Sequence, residues 1–289
     1  MKKRRVLIIL GSIVVLFFLM LALLRAISDG TPIGQKVAVI DIAGIISKSD
    51  ATIKLIHTYR DDPSVKAIVL RIDTPGGSVA PVQEIFTELE KIEKPIVASM
   101  GGSAASGGYY IACAADTIVA NPGTLTGSIG VIMQFTRMKG LYDKVGLEHQ
   151  VVKSGQFKDT GSPFRELTEQ DRAVLQATVD DVYNQFVDTI FKARGNLLTR
   201  AEVVELADGR IFSGKQALKS KLIDQLGNLP DAIKIAGGLA GIDGKPRVLR
   251  PERRTSLFEQ LLGIKQMPAL DEMFSLPGVT FRYQMSLGN

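Results

Sequence analysis

Apolar positions fall into three regimes along the 289-residue chain. Residues 6–24 form an uncharged apolar run, preceded by Lys2, Lys3, Arg4 and Arg5 and closed by Arg25. At about 1.5 Å per helical residue, this run approaches the hydrocarbon thickness of a bilayer, about 30 Å. It is longer than the h-region of a cleavable signal sequence, and Leu24-Arg25-Ala26 is a poor cleavage site. The pattern therefore predicts a single uncleaved transmembrane helix within residues 1–27. The basic cluster predicts a cytoplasmic amino terminus and a body on the extracytoplasmic side of the cell membrane.

After a Gly/Pro linker (28–36), the second regime runs from 37 to 244. Short apolar runs rich in β-branched residues alternate with amphipathic segments, the signature of an α/β domain. Strands are predicted at 37–42, 67–72, 96–100, 117–120 and 129–135, and helices at 51–60 and 79–92. The later part is more helical. Thr168 and Asp171 stand as N-cap and N3 acid of a helix that Gly195 closes. Shorter helices are predicted at 200–207, 214–220 and 231–240. The third regime, 245–289, has weak periodicity and reads as a tail or an oligomer contact.

Charge sharpens this division. The chain has 35 Lys and Arg against 30 Asp and Glu. Setting aside the five basic residues of the first segment leaves 30 against 30, so the excess belongs to membrane topology. The body carries no net field that would favour nucleic acid, and the arginines at 247, 250, 253 and 254 read as a solvated run. One cysteine, Cys113, excludes an intrachain disulfide, and its apolar neighbours predict buried packing. With two isolated histidines and no clustered ligands, neither a metal nor another cofactor is expected.

Chemistry concentrates in four glycine-rich segments. Ser106 lies in GGSAASGGYY (101–110), where a predicted strand hands over to a helix. A helix start offers backbone N–H donors to developing negative charge, and Gly107 follows the serine directly. Asp73-Thr74-Pro75-Gly76-Gly77-Ser78 ends a buried strand, where α/β folds tend to bind ligands. Its paired glycines let another backbone approach closely, which makes Gly76 or Gly77 a candidate second oxyanion donor. A serine needs a base, and neither His57 nor His149 lies in a turn suited to chemistry. Lys158, in KSGQFKDTGS, can serve if its ammonium, which ordinarily titrates near about 10.4, is neutral. Burial, to which Phe157 would contribute, is the readiest way to neutralise it. Ser128, in TGSIG, is the candidate hydroxyl that aims the amine. Asp159 is a potential spoiler, because a carboxylate on Lys158 would stabilise the charged form.

The order DTPGGS, GGSAASGGYY, TGSIG and SGQFKD closely resembles the signal peptide peptidase A family of membrane-anchored serine peptidases. The resemblance covers residues 37 to 229, including Asp208-Gly209-Arg210, a segment also similar to ClpP and crotonase-fold proteins. It implies a ClpP/crotonase-like spiral of βαβ units. It also implies Ser106 as nucleophile, Lys158 as general base, Ser128 as orienting hydroxyl, and Gly76, Gly77 and Gly107 around the oxyanion and substrate. Remnant signal peptides and other short apolar peptides would be the substrates. The implied assembly is a homo-oligomeric ring or dome, an octamer for preference, with the dyad shared between neighbouring subunits. Two other readings stay open on the residues alone: a crotonase-like acyl-thioester enzyme and a non-catalytic membrane scaffold.

Overall fold

The computed structural model describes residues 13–20, 35–251 and 282–284. It separates into two compact units, residues 1–35 and residues 36–289. In the first, residues 13–20 form a helix (α1) whose apolar side chains are all exposed. The expected membrane helix at 6–24 otherwise lies outside the described residues. Among those described, no helix is long and apolar enough to cross a membrane.

Among the described residues, the second unit is built on an eight-stranded sheet. Strands β1 (Lys36–Ala43), β2 (Val65–Thr74) and β4 (Ile96–Ala105) form its parallel centre, in the order β4-β2-β1. Their alternation of side chains explains why the sheet is covered on both faces. Ala38, Ile40, Ile42, Ile68, Leu70 and Ile72 face a large core with α2 (Asp50–Asp61), α3 (Val79–Glu90), α4 (Gly107–Ala112) and α6 (Glu169–Arg194). The intervening Val37, Val39, Ala67 and Val69 face a smaller core closed by Ala232 and Ala236 of α9 (Leu229–Leu239). Strands buried on both faces read as continuous apolar runs, as these do.

Long β4 forks. Residues 97–100 pair with β5 (Thr117–Ala120), while 103–105 pair with β6 (Leu125–Gly127). Between the two halves β4 bulges against β2: Ile72 lies opposite Met100, yet Thr74 lies opposite Ala104. Gly101 makes this bulge possible, since a Cβ there would fall 2.7 Å from the Asp73 carboxyl carbon.

Helix starts follow the sequence closely. Thr168 accepts from the Asp171 amide and Asp171 accepts from the Thr168 amide, a complete capping box worth about 1 kcal/mol. One predicted strand is not formed. Residues 129–135 leave the sheet after Ser128, whose φ of 49° turns the chain outward. Ile129 alone of this run is buried, and the strand forms instead at β6, just before the turn. Two pieces of the 245–289 segment also belong to the fold. β9 (Arg247–Leu249) extends the sheet beside β1, and β10 (Arg282–Gln284) pairs antiparallel with β3 (Gly76–Ser78).

Candidate active site

Ser106 stands at the joint between β4 and α4. Its φ is 54° and its ψ −114°, a conformation that costs a non-glycine residue about 1–3 kcal/mol and persists only when its surroundings impose it. Those surroundings are visible. The Ser106 amide donates to the Gly127 carbonyl at 2.7 Å, and the Ser106 carbonyl accepts from the Tyr110 amide at 2.9 Å. Gly108 must lack a side chain, because a Cβ would fall 2.6 Å from the Thr74 methyl on β2. This close approach of α4 to the sheet leaves Ser106 only 1% exposed, and its Oγ has no hydrogen-bond partner among the described residues.

The strand leading to Ser106 is held by side chains that the apolar pattern did not single out. Buried Thr124 and Thr126 donate through Oγ1 to the Gly101 and Ala104 carbonyls, each at 2.7 Å. The Asp73 carboxylate accepts the Ser103 amide at 3.0 Å. A threonine inside an otherwise apolar strand was the available signal, since a buried hydroxyl must find a partner.

The paired glycines divide their roles. Buried Thr74 donates to the Gly44 carbonyl at 2.5 Å and accepts the Gly76 amide at 3.0 Å. That contact occupies the Gly76 N–H, whereas the Gly77 N–H lies on the edge that pairs with β10 and becomes available where β10 leaves it. A Cβ on Gly77 would fall 2.0 Å from the Ile46 carbonyl oxygen, which accepts the Ser78 amide at 2.8 Å. Ile46 therefore covers one edge of β3, and the opposite edge pairs with β10, where Tyr283 lies across from Gly77. Gly107, in the first turn of α4, belongs to the set of residues whose amides have no intrahelical acceptor.

Ser128 is tied to Ser106 through the residue between them in space. Gly127, which accepts the Ser106 amide, has a φ of 77°, and Ser128 follows at 49°. The Ser128 amide donates to the Arg210 carbonyl at 2.8 Å. The Asp208-Gly209-Arg210 segment thereby fixes this turn, with Arg210 itself held by Asp208 at 2.5 Å.

Lys158 is not hydrogen-bonded to Ser106. It lies in a turn, its amide donating to the Gly155 carbonyl at 3.1 Å, and its side chain is exposed with no hydrogen bond among the described residues. Phe157 is 43% exposed and builds no apolar wall around it within one chain. Asp159 does not engage Lys158: its Oδ1 accepts Lys153 Nζ at 2.6 Å and Arg165 Nη2 at 2.8 Å. Those two cations hold the Asp159 carboxyl well below the ordinary carboxylate range. The histidines are engaged elsewhere, His57 with Glu88 at 2.7 Å and His149 stacked on Phe164.

The sequence has relatives. Residues 88–243 match the family model of peptidase family S49, more than half of the chain. The chain belongs to peptidase family S49. Residues 36–124 also match the Clp protease model, in keeping with the mixed α/β sheet. A Synechocystis protein named as a protease is 45% identical over 72% of this chain and 76% of its own length. An Enterococcus faecium protein named for signal peptide peptidase SppA is 42% identical over 60% of the chain, which spans about half of that relative (51%). The chloroplastic serine protease SPPA of Arabidopsis thaliana is 31% identical over 81% of the chain and 36% of its own length. These S49 relatives place the chain among the serine peptidases and support the signal peptide peptidase A resemblance.

Proposed function

We propose that this S49 chain is a membrane-anchored endopeptidase that uses Ser106 as nucleophile and Lys158 as general base on short apolar peptides, remnant signal peptides among them. The observation that carries the reading is the Ser106 hydroxyl itself: buried, without a hydrogen-bond partner among the described residues, and held in an imposed backbone conformation at a helix start. An orphaned buried hydroxyl costs about 1–3 kcal/mol. A residue that bears this cost together with backbone strain has the character of a functional one.

In the proposed reaction, neutral Lys158 accepts the Ser106 proton while Oγ bonds to the substrate carbonyl carbon. The Gly107 and Gly77 amides receive the oxyanion, and the Ser128 hydroxyl orients the amine. Collapse breaks the C–N bond, and the leaving amine takes the proton from Lys158. Water then attacks the acyl-serine, and the acid and free Ser106 are released. The pairing of β10 with β3 supports an extended, antiparallel substrate on the same edge, in place of β10.

Within one chain Ser106 is buried and Lys158 is exposed. That contrast supports a dyad completed between neighbouring copies in a ring or dome, an octamer for preference, with the neighbour supplying the desolvation. The uncharged run at 6–24 supports the anchor and an extracytoplasmic body. A serine-directed phosphonate tests the chemistry. The expected result is a single adduct on Ser106 by peptide mass mapping, together with endoproteolytic cleavage of an apolar peptide library. Absence of both would refute the assignment, and turnover of acyl-thioesters without peptide cleavage would favour the crotonase-like reading.

A further inference from the structure

The segment around Lys158 carries a four-membered ionic chain that the proposed reaction leaves without a role. Lys153 and Arg165 both donate to Asp159, and Arg165 continues to Asp171, Nη1 to Oδ2 at 2.5 Å and Nη2 to Oδ1 at 3.1 Å. Asp171 is 2% exposed and also accepts the Thr160 hydroxyl at 2.5 Å and the Thr168 amide at 3.0 Å. The two residues that follow Lys158 are therefore both bonded toward the start of α6. The backbone at 158 is fixed while its side chain is left free.

The charges matter as much as the bonds. Lys153, Asp159, Arg165 and Asp171 sum to zero. Other charged side chains in and beside this segment are Glu148, Arg137, paired with Glu166 at 2.8 Å, Lys139, paired with Asp143 at 2.8 Å, and Glu169 and Arg172 in the first turn of α6. His149 and Tyr142, both against the Phe164 ring, also border this segment. Asp159 is the carboxylate next to Lys158 in sequence, and unpaired it would add a negative charge beside the ammonium. Lys153 and Arg165 both donate to it, and Arg165 is shared with Asp171.

We propose that Arg165, assisted by Lys153, is a positioning residue that holds Asp159 away from Lys158 and cancels its charge, so that the lysine can give up its proton. The inference rests on Lys158 being the general base. Removing Arg165 leaves Asp159 and Asp171 opposed by Lys153 alone, and the added negative field favours the charged lysine. Removing Asp159 as well restores the balance.

The test compares pH–rate profiles of kcat/KM on a fluorogenic apolar peptide for the full-length protein, Arg165→Gln, Lys153→Gln and Arg165→Gln/Asp159→Asn. The midpoint should move toward alkali by about half a unit to one unit in Arg165→Gln, a three- to tenfold loss at neutral pH that recovers on the alkaline plateau. The double variant should return the midpoint to its original place. If Arg165→Gln does not fold by thermal melting, Lys153→Gln carries the same prediction with a smaller shift. A midpoint that stays put while activity falls equally at every pH, with no rescue by Asp159→Asn, overturns the proposal and leaves a purely structural clamp. Lys158→Arg, measured alongside, separates the two ideas: activity there refutes the base itself, whereas an inactive Lys158→Arg with an unmoved Arg165→Gln midpoint refutes only the positioning role.

Discussion

The Ser106 amide is bonded to the Gly127 carbonyl at 2.7 Å, so the turn that presents one serine and the turn that presents Ser128 form a single unit. Gly127→Ala tests that coupling. A Cβ there would fall 2.5 Å from the Phe212 ring and 2.9 Å from the Arg210 carbonyl, at a φ of 77°. Strain and overpacking of this kind cost about 1–3 kcal/mol each. Activity should fall together with melting temperature, although residue 127 contributes no side chain to the chemistry. Normal activity in a destabilised Gly127→Ala protein would show that the two turns are independent.

Ser106→Ala should abolish turnover and leave the protein at least as stable as before. The buried Oγ has no partner among the described residues, so deleting it removes a desolvation cost, and a gain of about 1 kcal/mol is expected. Thermal melting measures this directly. A clear loss of stability would mean that the hydroxyl is hydrogen-bonded in the folded enzyme.

Ser128→Ala should be milder than loss of Ser106, because in the proposed reaction it removes an orienting bond and not the atom that attacks. A hydrogen bond to a charged or strongly polar group is worth about 1.5–3 kcal/mol, which corresponds to a rate loss of roughly ten- to a hundredfold. An unaffected rate would reduce Ser128 to a backbone role in its turn.

Cys113 gives a pH signature on the stability side. It is buried at the end of α4, and burial pushes its thiol up to about 12 from an ordinary 9.0. Between those values the unfolded chain has lost the proton that the folded chain keeps, so stability falls as pH rises from about 9 toward 12. Buried Tyr109, also raised by burial, acts in the same direction above its ordinary 10.0. Cys113→Ala should flatten the alkaline decline in melting temperature, and the native thiol should resist alkylation at pH 8. Rapid alkylation of the native protein would contradict this account.

Much of the fold was legible because its central strands are buried on both faces and its longest described helix, α6, begins at an explicit cap. The apolar runs over 37–42 and 67–72 and the Thr168–Asp171 pair all reappear in place. Residues 129–135 misled because β-branched residues favour strands only on a pleated, half-buried surface, and the backbone turn at Ser128 carries them off it. The Ser106 turn was readable from small residues between a strand and a helix. Occupation of the Gly76 amide by Thr74 was not readable, since it depends on a rotamer and a bond to Gly44 thirty residues away. Nor was the fate of Asp159: adjacency to Lys158 suggested interference, and only the fold brings Lys153 and Arg165 to the carboxylate.

The central claim is that Ser106 and Lys158 act together across a junction between chains. Ser106→Ala and Lys158→Ala chains, each inactive alone, should be co-expressed and peptide cleavage measured in the isolated mixed assembly. If neighbouring copies share the dyad, random mixing in a closed ring restores about a quarter of the sites, and cleavage returns at roughly that fraction of the parent rate. Mixed assemblies that form, as shown by two distinguishable tags in one particle, and yet remain silent would contradict a shared dyad.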